Sequence, residues 1–233
     1  MSSKRFSCVL ALGVVLAVPG FANIVTASGA GSLPATAENL SADTDLTGIN
    51  GTLPDVTGNE VAVFKIDIVS PTTFSAETVS AGPFGIPDTV LMLFDLNGNG
   101  VYLNDDKSGL DTLSCLPAFD PAFTPSDCSE SSSGSLGPTS SGTYFLAITR
   151  SSNYPLDGLN NEIFSPSLFT DVVGPNSGVG AVAGWDGFGI PSANTDLVNY
   201  SIAISEAPEP VAWPVISALC LGLMLFRRRL RTH

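Results

Sequence analysis

The sequence predicts an all-β protein, an antiparallel β-sandwich set between two apolar ends. Three observations carry that expectation. Apolar and polar residues alternate with a period of two in several runs, 23 glycines and 17 prolines punctuate those runs, and between the ends no segment places apolar residues at i, i+3, i+4 and i+7. A period of two belongs to a half-buried strand and a period of 3.6 to a helix. Short strands separated by turn residues, without helices, favour a sandwich. At 233 residues, 44% hydrophobic and 13% charged, the chain has the apolar content to fill a core and is not a disordered polyelectrolyte.

In chain order, Lys4 and Arg5 precede an apolar run at residues 8–18, which is followed by Pro19, Gly20 and the small-x-small site Gly20-Phe21-Ala22. Charged, apolar and small-residue segments in that order read as a secretory signal helix over residues 1–22; the alternative is a buried N-terminal helix. Residues 23–59 are rich in Ala, Gly, Ser, Thr and Asn and hold neither period for long. They read as an irregular leader or an irregular first strand region.

The sandwich is expected over residues 60–205. From Val61, the residues Phe64, Ile66 and Ile68 alternate with Lys65 and Asp67. Residues 73–79 form a weaker strand candidate, and residues 89–94 are apolar on both faces. Residues 142–149 set Tyr144, Leu146 and Ile148 on one face, and Val198, Tyr200, Ile202 and Ile204 alternate with polar or small residues to close the domain. Residues 151–196 hold scattered Asn, Pro and Gly with apolar pairs such as Ile163-Phe164. They read either as a decorated loop or as one or two short strands.

Between residues 23 and 206, Lys65, Lys107 and Arg150 stand against 21 Asp and Glu, a balance of −18. Such a domain repels nucleic-acid phosphates and anionic lipid headgroups, so neither is expected as a partner, and it attracts cations; the alternative is that its acidity only keeps it soluble. Cys115 and Cys128 flank a Pro- and Ser-rich loop. In an oxidising compartment they read as a disulfide closing it.

Asp95-x-Asn97-x-Asn99-Gly100, followed after five residues by Asp106, matches the oxygen-ligand spacing of a twelve-residue calcium loop, with Asp105 beside it. The competing reading is a plain Asn-Gly hairpin turn between two strands. Both stay open at this level, and calcium is the one cofactor the sequence suggests. The only histidine is His233, so Ser-His-Asp and Cys-His hydrolysis lack their imidazole, and the chain is read as non-catalytic. A carbohydrate-active enzyme using loop carboxylates is the runner-up. Trp185 and Phe188, beside Gly187 and Gly189, could stack on a sugar ring or pack over the sheet edge.

Over residues 60–205 the chain resembles the bacterial pre-peptidase C-terminal (PPC) domains. The residues that carry the likeness are Thr89-Val90-Leu91-Met92-Leu93-Phe94, Asp95-Leu96-Asn97-Gly98-Asn99-Gly100, Leu103-Asn104-Asp105-Asp106 and Ser141-Gly142-Thr143-Tyr144-Phe145-Leu146-Ala147-Ile148. The resemblance implies a jelly-roll-like sandwich and acidic residues near Asp95, Asp105 and Asp106 that can hold calcium.

After residue 205 come Pro208, Glu209 and Pro210, an apolar run at residues 211–226, and Arg227, Arg228, Arg229 and Arg231. Two prolines around a glutamate neither continue a strand nor start a helix cleanly. The run reads as a short transmembrane helix whose arginines hold that end in the cytoplasm, leaving the domain outside. Residues 206–233 resemble the PEP-CTERM sorting signal. That implies an exosortase as processing partner, an inner-membrane precursor, and delivery to the cell surface or an extracellular matrix in biofilm, with exopolysaccharide as a candidate partner.

Overall fold

A computed structural model of the chain describes residues 22–43, 45–53, 60–82, 85–86, 88–126, 128, 136–187 and 198–206. The expected signal helix up to residue 21, the sorting tail from residue 207, and Phe188 lie outside the described residues. Among the described residues there is no α-helix, and no helix is long and apolar enough to cross a membrane.

The described strands are β1 (Asn23–Thr26), β2 (Glu38–Asn39), β3 (Leu46–Leu53), β4 (Val61–Ile68), β5 (Ser75–Val79), β6 (Thr89–Phe94), β7 (Gly100–Asn104), β8 (Cys115–Leu116), β9 (Gly142–Arg150), β10 (Pro155–Asp157), β11 (Val172–Val173), β12 (Val182–Trp185) and β13 (Val198–Ser205). One sheet has the order β1-β3-β13-β5-β8, a second β11-β7-β6-β9-β4-β2, and β10 pairs with β12. The fold is therefore all-β. The sheets are mixed where pure antiparallel pairing was expected, because β1 joins β3 and β2 joins β4 in parallel.

Period-two alternation in β4, β9 and β13 sends one set of side chains between the two large sheets. Ile49, Phe64, Leu91, Leu146, Tyr200 and Ile202 belong to that shared core, each at most 3% exposed. Phe64 of one sheet meets Tyr200 of the other at 6.1 Å between ring centroids. Fully burying side chains of this size stabilises the fold by about 1.5–3 kcal/mol apiece.

Residues 23–53 follow the first-strand alternative and are not a leader outside the sandwich. They supply β1, β2 and β3, and β3 pairs with β13 from Gly48↔Ala203 to Leu53↔Val198. The helical and strand patterns both fail in β3 because an inward position is Gly51. A Cβ there would fall 2.2 Å from the Tyr200 hydroxyl oxygen and 2.5 Å from Cζ. The ring of the neighbouring strand fills the space that an apolar side chain of β3 would otherwise occupy.

Residues 151–186 hold three short strands, β10, β11 and β12, where a decorated loop or one or two strands were expected. Ile163, Phe164 and, from β12, Val182 join a separate cluster on the outer face of the six-stranded sheet, against Val63, Met92, Phe94 and Ala147. This explains why β6 is apolar on both faces. Leu91 and Leu93 face the shared core, while Val90, Met92 and Phe94 face the cover. Phe94 and Phe164 lie 6.0 Å apart. Trp185 packs against this cluster and donates its indole N–H to Ser32 O at 2.7 Å. That is the packing role among the two weighed for it.

Candidate metal centre

The five residues of β7, Gly100–Asn104, decide which acids can act together. Phe94 pairs with Gly100 and Leu91 with Asn104, so the two ends of this ladder lie roughly 13 Å apart at ~3.3 Å per residue. The twelve-residue loop suggested by spacing is thereby split. Asp95, Asn97 and Asn99 sit at one end, and Asp105 and Asp106 at the other.

At the first end the Asp95 carboxylate is engaged locally. Asp95 Oδ1 accepts from Asn97 N (2.8 Å) and Asn99 N (2.9 Å), and Oδ2 accepts from Asn99 Nδ2 (2.9 Å). Gly98 takes φ +84°, a conformation open to glycine, and its N–H donates to Asp95 O. This is the hairpin-turn alternative. The same construction recurs, unnoticed in the sequence, at Asp157 to Asn161. There Oδ1 accepts from Leu159 N and Asn161 N, Oδ2 accepts from Asn161 Nδ2 and Gly180 N, and Asn160 has φ +62°. The Asn161 amide and backbone donors hold the Asp157 carboxyl down to about 2.

At the other end, antiparallel pairing brings a third acid to Asp105 and Asp106. Asp88 immediately precedes β6, the other two immediately follow β7, and one oxygen from each of the three lies within 4.8 Å of the others. A buried hydroxyl network fixes the start of β6. Thr89 Oγ1 meets Thr78 Oγ1 and Ser114 Oγ, both at 2.8 Å. Asn104, fully buried, donates its amide to Asp106 O (3.0 Å) and accepts from Cys115 N (2.7 Å). It thus ties the end of β7 to β8, where Cys115 forms its disulfide with Cys128 at a Cα–Cα distance of 5.6 Å.

Asp105 is 0% exposed. Its Oδ2 accepts from the Tyr154 hydroxyl at 2.7 Å, whereas Oδ1 of Asp105 and Oδ1 of Asp88 are buried with no hydrogen-bond partner. Burial, followed by the nearby Asp106 and Asp88 charges, pushes the Asp105 carboxyl up to about 7, against the lowering effects of the Tyr154 hydrogen bond and of the nearby Ser151 hydroxyl, which also acts on Asp88. Asp106 is raised by burial and then by Asp88 and Asp111, and Asp88 is raised by burial. No family model matches the chain, and no curated protein does. Two orphaned buried oxygens among three converging carboxylates leave a desolvation cost that a cation would remove. All three donors are hard carboxylate oxygens, which suit calcium or magnesium better than zinc. The residues present fit such an ion.

Proposed function

We propose that the chain is an exported, non-catalytic surface or extracellular-matrix protein whose jelly-roll-like β-sandwich binds calcium through Asp88, Asp105 and Asp106. The observation that carries the reading is the unpartnered, fully buried Asp105 Oδ1 among three converging carboxylates. Asp88 and Asp106 are half-buried, in contrast to Asp105. Isothermal titration tests it. Calcium should give a saturable heat that D88N removes and D95N leaves intact, since the Asp95 oxygens already serve their turn. Equal loss in both variants, or no heat in the wild type, sinks the assignment.

The runner-up, a carbohydrate-active enzyme, is less supported. Retaining glycosidases hold two carboxyls about 5–5.5 Å apart, and this cluster has comparable spacing, but an acid that is 0% exposed offers no path to a glycosidic oxygen. A small ion needs less room than a sugar.

Delivery to the surface is assigned to the tail, in which Pro208, Glu209 and Pro210 are read by an exosortase while residues 211–226 and the arginines from Arg227 to Arg231 hold the precursor in the inner membrane. The domain ends close to that motif. Glu206 accepts from Val69 N (3.0 Å) and Ser70 N (3.1 Å), which fastens the chain two residues before Pro208. Replacing Pro208, Glu209 and Pro210 together with alanine should leave uncleaved precursor in the membrane fraction. Unchanged size and release on a blot would overturn the sorting role.

A further inference from the structure

We infer that two turns beside the acidic centre form a calcium-dependent docking surface for a lipid layer with anionic phosphate headgroups. The inference rests on the calcium reading above and adds a partner to it.

Both turns are anchored at the end of β7. The first begins at Lys107, whose N–H donates to Leu113 O, and is closed by reciprocal backbone bonds between Ser108 and Asp111. Leu110 stands at its tip, fully exposed. The second is held by Asp171 N–H donating to Leu168 O and by Leu168 N–H donating to Asp171 Oδ2. It presents Leu168 and Phe169 at 66% and 59% exposure. Asp106 N–H donates to Phe169 O at 2.9 Å, so this turn is bonded directly to one of the three acids.

A single exposed leucine needs no explanation. Three large apolar side chains on the two turns that flank a cation centre are a different arrangement, because protruding tips suit a soft apolar layer. Two of the three are aliphatic and have no π face with which to stack on a sugar ring, which favours hydrocarbon over glycan. Charge selects the headgroup and makes the contact conditional. The surplus of acids repels an anionic layer, with Asp111 and Asp171 in the turns themselves adding to it. Offering one oxygen each, three carboxylates supply fewer than the six to eight oxygens that calcium takes. A bound ion therefore has positions left for phosphate oxygens, reached past the half-buried Asp88 and Asp106 and not past the fully buried Asp105.

The apolar run at residues 211–226 would bind vesicles by itself, so the test needs a local probe in the full chain. L110W and F169W variants are reconstituted into vesicles of phosphatidylcholine and phosphatidylglycerol containing brominated lipid. Their emission is read against wild-type protein treated alike. Millimolar calcium should quench the added indole signal, a chelator should restore it, and vesicles of phosphatidylcholine alone or a D105N background should show no quenching. Quenching that persists in chelator overturns the calcium dependence. Absence of quenching with the calorimetric heat intact overturns the docking surface and leaves the metal centre standing; loss of the heat overturns the centre instead. A calcium-dependent emission change with soluble polygalacturonate, without lipid quenching, overturns the lipid assignment in favour of an acidic glycan.

Discussion

Millimolar calcium should raise the melting temperature of chelator-treated protein by about 5–10 °C. An ion present at ~100 times its dissociation constant stabilises the folded state by about 2.7 kcal/mol, and in a domain of this size each kcal/mol moves the midpoint by roughly 2–4 °C. The acid proposed to receive the ion also predicts how the calcium-free protein behaves. The folded-state pKa of Asp105 is about 7, above its ordinary value of 3.8. The folded state therefore keeps a proton that the unfolded chain releases. The resulting stability is fully present below the unfolded pKa and is lost as pH rises through 7. Its upper size is roughly 4 kcal/mol, about three pKa units at 1.36 kcal/mol each. In chelator, the wild type should melt lower at pH 8 than at pH 5, calcium should remove that decline, and D105N should show neither the decline nor the calcium response. Parallel pH curves for wild type and D105N would show that Asp105 is not the acid responsible.

The second large effect belongs to the cover over the six-stranded sheet. Phe164→Ala should destabilise the protein by about 3–5 kcal/mol, because it removes a fully buried ring and leaves a cavity beside Phe94. Chemical denaturation measures it. Leu159→Ala, at a side chain 82% exposed in the same segment, should change stability by less than about 0.5 kcal/mol. If the two substitutions cost the same, residues 151–186 are decoration and not core.

These segments mark where the sequence was readable. β4, β9 and β13 advertise themselves because each buries one face against the opposite sheet and leaves polar residues at several outward positions. β3 does not, since Gly51 is filled by a ring from another strand and the information sits 149 residues away in Tyr200. The cover at 163–164 shows only as an apolar pair, because a few side chains inserted from a long loop produce no period.

The candidate centre was half legible for a similar reason. Linear spacing joined Asp105 and Asp106 to Asp95, whereas a hairpin relates residues by reflection through its turn. Residues 88 and 106 are equally far from Asn97. Once the Asn-Gly turn and its two flanking strands were recognised, that symmetry was the available signal for Asp88. The orphaned oxygens have no counterpart in sequence, since they depend on what Tyr154, Ser114 and Asn104 place around the end of the ladder.

The position of β13 bears on the timing of folding. This strand comes last among those described and lies in the middle of its sheet, between β3 and β5. Until residues 198–205 have left the ribosome, that sheet exists only as two unconnected halves, one face of the main core has no floor, and nearly all of the pairing that closes it spans more than a hundred residues. The five-stranded sheet of such a nascent chain cannot close until synthesis is nearly complete. If the chain is exported as proposed above, that delay would keep it in a state that can be threaded through a membrane.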